Sequence, residues 1–349
     1  MAPTLSTLRS KLGFAGKSGA WKFLALIFAL LNLKSLPFVW HIRLLKGLFT
    51  HIRTSVLRLA TTPGPSTLFQ PLITSSRSGF LECDYNLHKS NSTYFSDFDV
   101  GRLELLVSLC GQGIMVTRKE LALEEKEGRG QGASGKGTLE TRLGGVSCQF
   151  RKEIKPYEKF EVWTRVLCWD LKWLYVICHI VKPGIVRPKS YLLQPWRKGR
   201  QHEEESNGNG DGNATPSPHP AIFATGIAKY VFKKGRLTIA PERVLRASQL
   251  LPPKPGDHES LSPTSKLTPE VTSNNAEAVS ADDQKTPKNV EDVVVASLKA
   301  DLGDDNGQWT WEKVEEERKR GVKIAEMWGA LEELNGEFAR DGGVALGRY

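Results

Sequence analysis

The sequence predicts an α+β domain in which one long helix packs against an antiparallel sheet. The prediction depends first on residues 94–110, the one long helical pattern in the central part of the chain. The apolar residues of this segment fall mostly on one face: Phe95, Phe98, Leu105, Leu106 and Leu109. It depends second on the order of the β-rich segments, since one precedes this helix and four follow it. The apolar face of a single helix then has a sheet to pack against.

The predicted strands are segments rich in Val, Ile, Trp, Tyr and Phe, with stretches in which polar and apolar residues alternate. The first strand covers residues 72–83 and precedes the helix. The later strands cover 144–154, 160–169, 173–182 and 222–233. Turns are expected at Lys155-Pro156 and at Asp170-Leu171-Lys172, and the second of these predicts a hairpin.

The composition fits a packed domain with long polar appendages. Apolar residues make up 40% of the 349 residues and charged residues 25%, which excludes collagen-like and wholly disordered proteins. Five cysteines without a C-x-x-C pair argue against a disulfide framework or a zinc ribbon, and they indicate a reducing compartment. We expect no metal and no cofactor.

Changes in composition divide the chain into four regions. Residues 1–60 form a basic, hydrophobic arm, and residues 61–250 form the domain. Two inserts rich in Gly, Ser and charge, 124–137 and 188–220, are expected to be loops of this domain.

The last two regions follow the domain. Residues 251–308 are rich in Pro, Ser, Thr and Asp and predict a disordered linker. Residues 309–349 predict a C-terminal helix that docks on the domain or on a partner helix. Its apolar positions recur at helical spacing: Ile324, Trp328, Leu331, Leu334 and Phe338.

All of the excess positive charge lies in the arm. The chain carries a net charge of +9, and residues 1–60 hold nine Lys and Arg but no Asp or Glu. A nucleic-acid-binding protein more often spreads basic residues over its folded face, so we expect no nucleic-acid partner. A basic arm beside apolar sequence favours an anionic membrane surface or an import signal.

The arm contains two segments suited to a bilayer. Residues 21–40 are mainly apolar and just long enough to cross if Lys22 and Lys34 reach the headgroups, although Pro37 would kink them. The next segment carries one helical stripe: Phe38, Ile42, Leu45, Phe49, Ile52, Val56 and Leu59. Basic residues lie mostly off this stripe, which predicts a helix that binds lipid at the membrane interface or packs on the domain. We expect attachment to the endoplasmic reticulum with a cytosolic domain, with the mitochondrion as the alternative.

The most suggestive polar segment lies between the first strand and the helix. It reads D-Y-N-L-H-K-S-N-S-T-Y-F over residues 84–95 and contains Asp84, Asn86, His88 and Asn91. The free N–H groups at a helix N-terminus bind carbonyl oxygens and anions, and a nearby carboxylate activates water or attacks an acyl carbon. Ordinary turn and capping chemistry explains the same residues, with Asn91, Ser92 or Thr93 as the cap.

This segment and three later ones resemble the hotdog fold of the 4-hydroxybenzoyl-CoA thioesterase superfamily. The later ones are L-G-G-V-S-C-Q-F-R-K-E-I (143–154), Y-E-K-F-E-V-W-T-R-V-L-C-W-D (157–170) and I-F-A-T-G-I-A-K-Y-V-F (222–232). The chain is most similar to the fungal form of the thioesterase superfamily member six branch. The resemblance covers residues 68–250 and implies an antiparallel sheet wrapped around one long helix.

The resemblance also implies site residues. Asp84 matches the catalytic carboxylate of bacterial members, which lies ten residues before a helix tyrosine, here Tyr94. Asp84, Asn86 and His88 match the D-x-N-x-H string of plant acyl-carrier-protein thioesterases. The Glu-Cys pair of those enzymes is Glu153 followed by Ile154 in this chain, which puts a cysteine mechanism in doubt.

The mechanism expected from this match depends on a carboxylate. Asp84 or Glu153 acts as the general base or the nucleophile, while Asn86 and His88 orient the water or the carboxylate. Asn91 and Tyr94 are expected to bind the substrate. The implied partners are an acyl-CoA or acyl-carrier thioester, membrane lipid and a second copy of the chain. A non-catalytic acyl-chain-binding or scaffolding protein of the same fold is the main alternative, and an interaction hub that acts through the C-terminal regions is a third.

Overall fold

A computed structural model describes residues 17–56, 64–127, 137–184, 188, 190–194, 222–255 and 309–331. The N-terminal arm forms helices α1 (Lys17–Leu31) and α2 (Val39–Val56), joined by a short 3₁₀ turn at Leu33–Ser35. The domain follows with β1 (Leu72–Arg77), a 3₁₀ turn at Phe80–Glu82, and helix α3 (Asn91–Lys126). The remaining elements are β2 (Leu139–Phe150), β3 (Lys159–Trp169), β4 (Leu174–Val181), β5 (Ile222–Lys234), β6 (Leu237–Ile239), α4 (Pro241–Ala247) and α5 (Trp311–Gly329).

The strands form one antiparallel sheet that packs on α3. Its order is β1-β3-β4-β5-β2, and the short strand β6 pairs with the free part of β5. The expected hairpin joins β3 to β4, where the Asp170 carboxylate accepts the N–H groups of Lys172 (2.7 Å) and Trp173 (2.6 Å). The expected hotdog arrangement, a sheet around one long helix, is confirmed.

The central helix is longer than the sequence pattern predicted. It begins at Asn91 and continues to Lys126, past the predicted end at residue 110 and into the predicted insert 124–137. The extension is stabilised by partners from the far end of the domain. Glu124 pairs with Arg243 (2.6 Å) and Glu125 with Lys234 (2.8 Å), so residues that look like loop polar groups in sequence are helix-surface ion pairs.

The main core lies between α3 and the inner face of the sheet. Phe98, Leu105 and Leu109 of α3 are buried there, as their helical spacing predicted. Alternate residues of β3 and β4 face them, because successive side chains of a strand point to opposite faces. Strand β1 is shorter than predicted, since the chain leaves the sheet after Arg77 and turns through Phe80–Glu82.

The outer face of the sheet is covered by the C-terminal helix. Ile324 and Trp328 of α5 pack with Leu167, Tyr175 and Ile177, which point away from α3. The predicted docking of this helix on the domain is confirmed. Of its other predicted apolar positions, Leu331 is exposed, and residues 334 and 338 lie outside the described residues, as does most of the predicted linker.

The arm packs on the domain through its polar side. Arg43 and His51 of α2 face carboxylates of α3, and Gly47 permits close contact: a Cβ at this position would lie 2.8 Å from Glu104. The predicted stripe therefore faces outward, and five of its members are exposed: Phe38 (75%), Ile42 (60%), Leu45 (49%), Phe49 (65%) and Ile52 (46%). Residue 59 lies outside the described residues.

Residues 21–40, expected to be just long enough to cross a bilayer with a kink at Pro37, are divided between α1, the 3₁₀ turn and the start of α2. Helix α1 ends at Leu31 and spans about 22 Å at 1.5 Å per residue, less than the ~30 Å hydrocarbon core of a bilayer. Lys34 does not extend to solvent either, because it binds two carboxylates of the domain. Within the described residues, α3 alone passes the length and composition test for a spanning helix, and it is the core helix of the domain.

Candidate active site

The loop that sequence analysis singled out folds into a tight reversal between Phe80–Glu82 and α3. Its ends are joined by an antiparallel bridge between Cys83 and Lys89. Within it, the Asp84 N–H donates to the His88 carbonyl (2.8 Å), and Leu87 takes the left-handed conformation with φ of 59°. Backbone hydrogen bonds therefore fix the positions of Asp84 and His88 relative to each other.

The half-buried Asp84 carboxylate binds backbone N–H groups of this loop. Its Oδ1 accepts the N–H of Asn86 (2.9 Å) and faces the N–H of His88 (3.5 Å). Through Oδ1, Asp84 thus makes the backbone hydrogen bonds of a turn residue. The Asn86 side chain is exposed beside it.

The predicted residues His88 and Glu153 meet directly. The imidazole Nε2 of His88 lies 2.8 Å from Oε2 of Glu153, in the connection between β2 and β3. The two segments are aligned by the Lys89 N–H, which donates to the Ile154 carbonyl (2.9 Å). His88 is 31% exposed and Glu153 68% exposed, so solvent and substrate have access to the pair.

The N-terminus of α3 adds hydrogen-bond donors to the site. The cap residue is Ser90, not Asn91, Ser92 or Thr93 as the sequence suggested. Ser90 makes no side-chain capping bond to the described first turn, and its hydroxyl lies 3.2 Å from that of Ser92. Asn91 is exposed as the first residue of the helix. A helix start of this kind attracts a carbonyl oxygen or an anion through its N–H groups and dipole.

Tyr94 lies beneath the surface of the site. It is 2% exposed, and its ring packs edge-on against Phe150 with the centroids 5.0 Å apart. The ammonium group of Lys89 lies 5.4 Å from the Tyr94 ring centroid. Burial, followed by nearby acidic groups, raises the pKa of Tyr94, so the phenol stays protonated at neutral pH.

Sequence reasoning missed a group of ionised residues behind this loop, which we call the buried charge cluster. Its members are Lys34, Arg43, Glu82, Lys89 and Asp97. Burial raises the pKa of Asp97, but the cations Lys34, Lys89 and Arg43 outweigh burial and bring it down to about 2. Burial also lowers the pKa of Lys34, partly offset by Asp97. The sequence did contain a sign of this cluster. Asp97 lies three residues after Tyr94, so an acidic side chain falls on the apolar face of the helix and needs cationic partners there.

Comparisons with known proteins identify the family. Residues 78–201 match the model of the thioesterase-like superfamily. The thioesterase poxG of Penicillium oxalicum is 33% identical over 321 residues, covering 91% of this chain and 86% of that protein. The probable thioesterase atnL of Emericella nidulans is 38% identical over 232 residues, covering 64% of this chain and 70% of that protein. The probable thioesterase YbaW of Escherichia coli is similar in structure at 10% identity, with a TM-score of 0.31, over 51% of this chain and 96% of that one.

The sheet around one long helix is the hotdog arrangement, and the similarity to named thioesterases makes this chain a thioesterase of that class. The chain belongs to the thioesterase-like superfamily, and the enzyme is a thioester hydrolase. The enzymatic interpretation of the sequence is therefore confirmed.

Proposed function

We propose that the protein hydrolyses acyl-CoA-like thioesters by a carboxylate mechanism at the loop of residues 84–88. The observation that carries the proposal is the 2.8 Å contact between His88 and Glu153, made beside Asp84 and the start of α3. The site thus offers the paired His88 and Glu153 side chains, with Asp84 in the same loop as His88 and the start of α3 two residues after His88. This set supplies a base, a group that orients it and an oxyanion site.

The reaction follows from these positions. The thioester carbonyl binds at the first turn of α3, where N–H groups stabilise the negative charge that develops on its oxygen. Asp84 or Glu153 takes a proton from water as the water oxygen bonds to the carbonyl carbon, and His88 and Asn86 hold the participants in place. The C–S bond then breaks, the thiolate takes up the proton, and a carboxylic acid and a thiol leave. In the nucleophilic alternative, the carboxylate attacks the carbonyl carbon, the C–S bond breaks, and the thiolate leaves after it takes a proton from solvent. Water then opens the resulting mixed anhydride, which releases the carboxylic acid and restores the carboxylate.

Three cysteines of α3 and of the sheet are poor thiolate nucleophiles. Burial raises the pKa of Cys110 and Cys148 to about 12 and that of Cys178 to about 11, and a thiol is a nucleophile only once ionised. Ile154, which stands where plant acyl-carrier-protein thioesterases have cysteine, is a fully buried core residue.

The test is thiol release by the full chain from a panel of short- to long-chain acyl-CoAs and an acyl carrier thioester. Asp84→Asn and Glu153→Gln are measured separately, and the substitution that removes the base is expected to lower kcat at least a hundredfold, since general base catalysis contributes about 10²–10⁴-fold. Glu316→Gln, at an exposed position of α5, is the matched control and should keep full activity. Turnover that survives both substitutions would refute the carboxylate mechanism.

Membrane association is the second part of the proposal. Its support is the outward stripe of α2, together with exposed apolar residues of α1: Trp21, Phe23, Leu24, Leu26, Ile27, Phe28, Leu30 and Leu31. An apolar surface of this extent on an acid-free, basic arm fits the interface of an anionic bilayer. The arm then lies on lipid without crossing it.

The membrane and the compartment are also proposals. We propose the endoplasmic reticulum with the domain in the cytosol, and the mitochondrion is the alternative. The five cysteines are all unpaired, as a reducing compartment favours. Placement in the member six branch likewise stays a prediction from the resemblance.

A homodimer is proposed on the basis of the sheet edge. Strand β2 ends the sheet order, so one of its edges has no strand partner among the described elements. It is 12 residues long and carries exposed apolar side chains at Leu143, Val146 and Phe150. A long apolar edge strand pairs readily with another strand, and a second copy supplies one by antiparallel pairing.

A further inference from the structure

The buried charge cluster joins the N-terminal arm to the loop of the proposed site. Asp97 of α3, fully buried, holds three cations at once: Lys34 at 2.8 Å, Arg43 at 2.9 Å and Lys89 at 3.0 Å. The Ser76 hydroxyl adds a hydrogen bond at 3.2 Å. Two of these cations belong to the arm, although Asp97 is a core residue of the domain.

Glu82, just before the loop, also binds two of these cations. Its Oε2 accepts hydrogen bonds from Lys34 (2.9 Å) and Lys89 (3.0 Å). Its backbone carbonyl accepts the N–H of Ser90 (2.8 Å). Because Glu82 and Lys89 stand on the two sides of the loop, their ion pair closes it, and Lys34 holds both members from the arm.

The closed loop determines where the proposed catalytic residues lie. Lys89 follows His88 directly, its side chain is anchored in the cluster, and its N–H binds the Ile154 carbonyl beside Glu153. A displacement of Lys89 would therefore move His88 relative to Glu153. The arm makes a further contact with this region, since Asn32 Oδ1 accepts the Leu81 N–H at 2.9 Å.

We propose that Lys34 is a positioning residue for the thioesterase reaction, and that the arm thereby holds the catalytic loop in its active geometry. The inference rests on the proposed site. Lys34 touches no reacting atom in this scheme; it acts through Glu82 and Lys89. The proposed lipid-binding helices α1 and α2 and the residue that anchors the catalytic loop are then adjacent parts of the arm, because Lys34 lies in the 3₁₀ turn that joins the two helices.

The charge balance of the cluster makes Lys34 suitable for substitution. Three cations face two carboxylates, so Lys34→Met leaves two of each and keeps the apolar length of the side chain. Asp97→Asn would instead leave three buried cations with one carboxylate, and an uncompensated buried charge is strongly destabilising. Lys34→Met is therefore expected to fold, while a defect of Asp97→Asn would be ambiguous.

The experiment compares Lys34→Met and Lys34→Arg with the control Lys46→Met in the detergent-solubilised full chain. Lys46 is an exposed lysine of the same arm and is outside the cluster. Acyl-CoA hydrolysis gives kcat and KM, and amide hydrogen exchange reports the protection of residues 83–89. Exchange in β3 and β4 shows whether the core stays intact.

We expect Lys34→Met to lower kcat by about tenfold or more with little change in KM, since small displacements of catalytic groups have costs of this size. Exchange of residues 83–89 should rise while β3 and β4 stay protected, and Lys34→Arg should recover part of both. The inference would be overturned if Lys34→Met had the same kcat as Lys46→Met and the same hydrogen exchange in residues 83–89. If the full chain hydrolyses none of the thioesters, the proposed function fails, while the exchange of residues 83–89 still decides whether Lys34 anchors the loop.

Discussion

The imidazole of His88 and the carboxylate of Glu153 lie 2.8 Å apart, although the whole of α3 and β2 separates them in sequence. Because they form one unit, we expect their effects on catalysis to be non-additive. His88→Gln and Glu153→Gln should each lower kcat. The kcat of the double variant should be close to that of the more impaired single variant. The measurement is steady-state kinetics of the parent, the two single variants and the double variant, which together form a double-mutant cycle. Fully additive losses would contradict a functional pair.

The buried Asp97 predicts a specific acid sensitivity. Its pKa falls from 3.8 in the unfolded chain to about 2 in the folded one, so its ionised form stabilises the fold at every pH above about 4. That contribution, on the order of 2 kcal/mol from the size of the shift, is lost as the pH falls through about 2. Denaturant unfolding at several pH values should therefore show a steeper acid loss in the parent than in Lys34→Met, which removes one of the cations that lower this pKa. Equal slopes would refute the assignment.

The outward stripe of α2 predicts binding to anionic vesicles. Leu45→Glu places a charge on the lipid-facing side and should weaken flotation of the full chain with vesicles that contain phosphatidylserine. Leu171→Glu makes the same change at a site that is 90% exposed in the β3–β4 turn, far along the chain from the arm. It should bind vesicles like the parent. Equal flotation of the two variants would argue against the stripe as the lipid contact.

The open edge of β2 predicts a dimer through this strand. Leu143→Lys combined with Val146→Lys introduces charges on that edge and should shift the mass measured by light scattering from two chains to one. Leu171→Lys is the matched control and should leave the mass unchanged. A parent protein that runs as a monomer would contradict the proposed homodimer.

Helix α5 predicts a strict glycine requirement. A Cβ on Gly321 would lie 2.4 Å from the Leu167 carbonyl, whereas one on Gly329 of the same helix meets nothing within 4 Å. We expect Gly321→Ala to lower the free energy of unfolding by about 1–3 kcal/mol, the usual cost of overpacking. Gly329→Ala should be neutral or slightly stabilising. Thermal unfolding followed by tryptophan fluorescence distinguishes the two.

The local patterns predicted most of the framework. The spacing of Phe98, Leu105 and Leu109 located the buried face of α3, and the Val- and Ile-rich segments located β2 to β5, because burial of an apolar face dominates folding. The ends of elements were less accurate. Glu124 looks like a loop residue until Arg243, more than a hundred residues away, pairs with it.

The candidate site was predictable only in part. Asp84, Asn86 and His88 form a local motif within one loop, so the sequence alone determined that polar groups gather at the start of α3. The contact of His88 with Glu153 depends on the register of distant segments, which no local spacing encodes.

By itself, then, the sequence determined the periodic elements, the charged arm and the polar loop, since each depends on neighbours within a few residues. Only the tertiary structure decided that Lys34 of the arm meets Asp97 and Glu82 beneath that loop. It also decided that the stripe of α2 faces outward while its polar side binds the domain. The physical reason is that a buried cation is stable only beside carboxylates, and chain folding selects which carboxylates are within reach.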